Sequence, residues 1–116
     1  MKMRVLPFLT VLLFAGPLQA ATTCVFTQEC LEGEECAETS YSAEISAAGG
    51  ETLTLTTDAE TLEGRKIASG DNQHYVFEAP SAAHFMTNYA DGAARYTIHM
   101  EGPFTITYHG TCEGAP

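Results

Sequence analysis

Four cysteines constrain this chain more than any other feature. Cys24, Cys30, Cys36 and Cys112 form a C-x5-C-x5-C cluster with a lone partner close to the C-terminus. Structural zinc sites favour paired ligands two to four residues apart, so the spacing argues against metal and for two disulfides. Such bridges persist in oxidising compartments and are typical of small exported domains. Four cysteines admit three connectivities. Gly33 lies midway between Cys30 and Cys36, where a local loop can close, which favours Cys30–Cys36 with Cys24–Cys112.

The N-terminus agrees with export. Lys2 and Arg4 precede an apolar stretch from Val5 to Ala15, and Leu18-Gln19-Ala20 ends in a small residue suited to a signal peptidase. The stretch is too short to span a bilayer, which takes roughly 20 apolar residues. Residues 1–20 therefore read as a cleaved secretory signal and 21–116 as one domain, soluble, periplasmic or extracellular, and expected to be monomeric. A chain of that size buries only about 60–65% of its unfolded surface. It depends on covalent staples.

Cleavage also removes two of the five basic residues. Arg65, Lys66 and Arg95 then stand against fifteen Asp and Glu, a balance of −12. Such a surface repels nucleic acid and anionic lipid, and it favours a cationic protein partner. The acidic density is highest around the first cysteines, at Glu29, Glu32, Glu34, Glu35 and Glu38. A disulfide-pinned loop holding those carboxylates could contact a basic protein. It lacks the alternating Asp and Asn of a calcium-binding loop, and a loop that merely keeps the domain soluble is the alternative.

The rest of the chain has a period of two, broken by Gly and Asp turns, with no sustained helical pattern. Tyr41, Ala43, Ile45 and Ala47 alternate with polar residues, and Leu53 and Leu55 follow after Ala48-Gly49-Gly50; a three-residue loop sets Ile45 opposite Leu53. The polar stretch Asp58 to Gly64 has no clear pattern. Arg65–Ser69 and Gln73–Ala79 form a hairpin around Gly70-Asp71-Asn72, with Ile67 opposite Tyr75. Asp91-Gly92 marks a two-residue turn, which places Phe85 opposite Ile98 and Thr87 opposite Tyr96. After Glu101-Gly102-Pro103, Met100 meets Phe104, Ile98 meets Ile106 and Tyr96 meets Tyr108.

The predicted inward face of this last meander is Phe85, Tyr89, Tyr96, Ile98, Met100, Phe104, Ile106 and Tyr108, ending at Cys112. With a strand at Thr23–Thr27, the total is about eight short strands, an all-β up-and-down barrel or small sandwich. The same registers turn Arg95, Thr97, His99, Thr105, Thr107 and His109 outward, with His84, Met86 and Asn88 beside them. His84 then faces His99, and Met86 lies one step diagonal. Opposed strand residues have Cβ atoms about 4.5–5.5 Å apart, so His84, Met86 and His99 are candidate copper or zinc ligands. His109 faces Arg95, and His74 belongs to another hairpin.

No serine elbow, cysteine nucleophile, metalloprotease helix or phosphate-binding glycine loop occurs, and neither an enzyme activity nor a cofactor is expected. Size, leader, strand content and the terminal cysteine resemble bacterial periplasmic inhibitors of C-type lysozyme, small barrels whose inhibitory loop carries a Ser-Gly-x-x-Tyr-like stretch. The nearest segments here are Ala90-Asp91-Gly92-Ala93-Ala94-Arg95-Tyr96 and Ser69-Gly70-Asp71. The first has no serine and the second no tyrosine in place, and the chain has no tryptophan. The resemblance is one of architecture; it implies a small barrel and assigns no site residue.

Overall fold

The computed structural model describes residues 21–114, with the side chains of Ala68 and Ser69 left aside. Eight strands follow one another: β1 (Ala21–Leu31), β2 (Ala37–Gly49), β3 (Thr52–Thr57), β4 (Thr61–Ser69), β5 (Asn72–Ala79), β6 (Ala82–Asn88), β7 (Ala93–Met100) and β8 (Phe104–Gly114). Each pairs antiparallel with its neighbours in sequence, and β1 pairs with β8, so the sheet closes into an up-and-down barrel. Thr, Val, Ile, Tyr and Phe supply the pleated surface such strands favour. Closure leaves no unpaired edge.

Alternation sends one set of side chains inward. Cys24, Phe26, Ile45, Leu55, Tyr75, Phe77, Met86 and Tyr96 are all buried and belong to one core cluster. Eight strands enclose a space that side chains can fill. Large and small residues alternate around it: Phe26 faces Gly110 on β8, whose own β7 partner is Ala94. A Cβ at Gly110 would lie 2.0 Å from the Val25 carbonyl oxygen and 2.6 Å from the Phe26 Cα. The register of β1 shifts between Phe26 and Gln28 against both neighbours. Glycine is the residue that tolerates this approach.

Both disulfides join the predicted partners. Cys24 and Cys112 are register partners across β1 and β8 and lie in the core, so the bridge locks the two strands that close the barrel. Cys30–Cys36 spans the β1–β2 loop, whose turn is made by the Glu34 amide donating to the Leu31 carbonyl at 3.0 Å. The Glu32 amide donates to Thr105 O at 3.0 Å and carries the β1–β8 ladder into that loop.

The β7–β8 register is as predicted, with Met100 opposite Phe104, Ile98 opposite Ile106 and Tyr96 opposite Tyr108. Three other hairpins differ. In β2–β3, Ile45 faces Leu55 rather than Leu53, because the chain shifts register between Ala47 and Gly49; a shift of two leaves the faces unchanged. In β4–β5 the turn is Gly70-Asp71, so Tyr75 faces Lys66, and Ile67 lies outside at 42% exposure. Part of the unpatterned stretch, Thr61–Gly64, opens β4 and buries Leu62.

The third difference matters most for the site. The Tyr89 amide donates to Ala93 O and the Gly92 amide to Tyr89 O, both at 2.8 Å, so the β6–β7 loop holds three residues. Gly92 has φ 95°, the left-handed conformation that follows a type I turn in such loops. Met86 therefore faces Tyr96, and His84 faces Ile98. A slip of one residue reverses the faces of a strand: His84 and Met86 point inward, while Phe85 and Tyr89 are exposed.

Candidate functional site

The loops at residues 32–36, 58–60, 80–81 and 101–103 gather at one end of the barrel. Eight of the fifteen carboxylates lie in these loops or within two residues of them: Glu32, Glu34, Glu35, Glu38, Asp58, Glu60, Glu78 and Glu101. All eight are exposed. Among the described residues, none of the three Lys and Arg belongs to this end. Arg65 and Lys66 sit in the far half of β4, and Arg95 near the start of β7. The barrel is electrically lopsided, with an acidic mouth at the disulfide-loop end.

Beneath the mouth lies a polar layer. Tyr41 stacks on Tyr108 at 4.8 Å between ring centroids, Tyr108 on Tyr96 at 5.7 Å, and Tyr96 on His84 at 5.7 Å. A carboxylate holds each side. Tyr108 donates its hydroxyl to Glu29 Oε2 at 2.7 Å; at the other side His84 Nε2 lies 3.7 Å from Glu60 Oε2, while Nδ1 is 2.6 Å from the Tyr96 hydroxyl. With the ring hydrogen on Nε2, directed at Glu60, Nδ1 accepts from Tyr96.

Burial sets the protonation states. It lowers the pKa of His84, against the opposing pull of Glu60, and raises those of Tyr96 and Tyr108 well beyond the ordinary phenol value. Neighbouring Glu60 reinforces the rise at Tyr96, and Glu29 does so at Tyr108. At neutral pH the layer therefore holds neutral rings between two carboxylates. It closes the core beneath the mouth, with the Tyr96 hydroxyl paired to His84 and the Tyr108 hydroxyl to Glu29.

The predicted site residues divide accordingly. Glu32, Glu34, Glu35 and Glu38 stand exposed at the rim, whereas Glu29 is half-buried, turned inward and engaged by Tyr108. His84 and Met86 are inside, with 1% exposure each. His99 is outside, register partner of Ala83 and edge-on to Phe85 at 5.3 Å. The barrel wall separates His99 from the other two, so the structure does not bring the proposed metal ligands together. His109 faces Arg95 as predicted.

Sequence reasoning missed the layer beneath the mouth. Tyr96 and Tyr108 were legible as inward residues, but His84 was placed on the opposite face, and nothing local marks Glu29 or Glu60 as a ring partner. The two segments resembling the lysozyme-inhibitor loop fall in the β4–β5 and β6–β7 turns, at the end opposite the acidic mouth.

The fold and this site define a closed, disulfide-stapled eight-stranded barrel with a carboxylate-ringed mouth. Compared with protein-family models, curated proteins and solved structures, the chain matches none.

Proposed function

We propose that this chain is an exported, periplasmic or extracellular binding module, without enzymatic activity, whose acidic barrel end engages a cationic protein. The carrying observation is the partition of charge: more than half of the carboxylates ring one mouth, and among the described residues no Lys or Arg joins them. Like charges held close together raise the cost of the isolated barrel, and a partner's Lys and Arg relieve it while speeding encounter. Two intramolecular disulfides fit the oxidising compartment that this reading needs.

The most acidic loop of the rim, between β1 and β2, is closed covalently. Cys30–Cys36 pins the loop, and Glu32 is tied to β8 through its amide, so little conformational freedom is left to lose on docking. A basic C-type lysozyme is a concrete partner, in keeping with the architectural resemblance. The test is capture of such a lysozyme on the immobilised protein at low and high salt. Binding should weaken steeply as the Debye length falls from about 10 Å to about 3 Å. Replacing Glu32, Glu34 and Glu35 together by Lys should abolish it. Capture indifferent to both salt and the triple replacement would remove the reason for this reading.

A further inference from the structure

The inward face of the barrel does not stop where the core stops. Alternation carries it from buried Tyr96 through Ile98 to Met100 on β7, and from Tyr108 through Ile106 to Phe104 on β8. On β1, Glu29 and Leu31 pair with Tyr108 and Ile106, which puts Leu31 on the same face. Burial falls off along this strip: Tyr96 is fully buried; Ile98, Ile106, Phe104 and Leu31 are partly exposed; Met100 is 42% exposed. Register sets these residues side by side, Leu31 with Ile106, Ile106 with Ile98, and Phe104 with Met100. They form an apolar ledge inside the mouth, and the carboxylates described above surround it.

We infer that this ledge seats an apolar side chain from a basic polypeptide segment, whose flanking Lys and Arg meet the acidic rim. The inference rests on the cationic-partner reading and adds what that partner must present. Its chemistry follows from the two parts together. Partly exposed large apolar side chains invite burial, whereas anionic lipid and nucleic acid are repelled by the rim. A purely polar polycation would satisfy the carboxylates and leave the ledge in water. An extended basic segment with large apolar residues satisfies both.

Two short peptides with equal numbers of lysines test it, one alternating Lys with Leu and the other Lys with Ser, titrated into the oxidised protein at about 0.15 M salt. The Lys/Leu peptide should bind at least about tenfold tighter, the factor expected from burying one large aliphatic side chain. Met100→Ser should reduce that advantage to a few-fold without altering the Lys/Ser affinity. Phe85→Ser, at an equally exposed position (43%) on the outer wall, should leave it intact; thermal melts of both variants establish that the barrel persists. Equal affinity for the two peptides, or equal losses from Met100→Ser and Phe85→Ser, would overturn the ledge while sparing the cationic-partner reading. Failure of both peptides to bind would overturn both.

Discussion

Glu29 and Tyr108 face each other across the β1–β8 seam, and the phenol donates to the carboxylate at 2.7 Å. The pair places one hydrogen bond to a charged group at the inner edge of the acidic mouth, on the two strands whose pairing closes the barrel. A second side-chain link between those strands, Cys24–Cys112, is covalent and lies toward the other end. The seam is thus fastened at two heights, one polar and one sulfur.

Removing the donor should cost more than neutralising the acceptor. Tyr108→Phe leaves a half-buried carboxylate without its hydroxyl and should lower stability by about 1–2 kcal/mol. Glu29→Gln keeps an acceptor in place and should cost less than about 1 kcal/mol. Urea denaturation midpoints measure both, and a double-mutant cycle gives their coupling. A Tyr108→Phe protein as stable as the parent would refute the role assigned to this bond.

His84 should make stability fall on the acid side of neutrality. Burial holds its folded pKa below the unfolded value of about 6.5, so below that pH the unfolded chain binds a proton that the folded chain refuses. Stability then decreases as pH falls through about 6.5 and is fully retained above it. His84→Gln should flatten this part of the profile. Glu60→Gln removes the charge that favours the imidazolium and should steepen it. Parallel profiles for the parent and His84→Gln between about pH 5 and pH 7 would contradict the assignment.

The two disulfides should differ in worth and in reducibility. Cys24–Cys112 has a sequence separation of 88 and Cys30–Cys36 of 6. Loop-closure entropy then assigns about 4–5 kcal/mol to the first and about 2 kcal/mol to the second. Paired Cys→Ala replacements, compared by melting temperature, should preserve that order. Exchange requires access for the attacking thiolate: Cys36 is exposed, whereas Cys24 and Cys112 are buried. Mass spectrometry after brief treatment with dithiothreitol should show Cys30–Cys36 reduced first.

Gly110→Val should be among the most damaging single changes in the barrel. Its side chain would enter space held by the Val25 carbonyl and the Phe26 backbone, and overpacking of this kind costs typically about 1–3 kcal/mol, occasionally more. Because neither obstacle is the flexible tip of a side chain, Gly110→Ala should already destabilise. Denaturant midpoints near the parental value for both variants would show that β1 can move aside.

How much of this was legible depended on how many faces of a strand carry apolar residues. In β7, Tyr96 and Ile98 alternate with Arg95, Thr97 and His99, and in β8, Phe104, Ile106 and Tyr108 alternate with Thr105, Thr107 and His109. There the pattern alone identifies the inward face, and the turn at Gly102-Pro103 sets the register. In β6, His84 and Met86 on one side compete with Phe85 on the other, so either face could serve as the core. Asp91-Gly92 suits both a two-residue and a three-residue loop, and so gave no independent check. In β4, Ile67 is the large apolar residue of the legible half, but Leu62 and Gly64 in the polar half decide the face.

By itself, then, the sequence determined the all-β class, a count of about eight strands, the presence of two disulfides with a preference among three pairings, the faces of the one-sided strands and the acidic surplus. These rest on local alternation, composition and chain connectivity. Tertiary structure decided the registers of β4 and β6, the burial of His84, the inward turn of Glu29 and the gathering of carboxylates at one mouth. Closure is the physical reason: each strand must satisfy two hydrogen-bonded neighbours at once, and a register that looks acceptable for one hairpin survives only if it fits all eight ladders of the barrel.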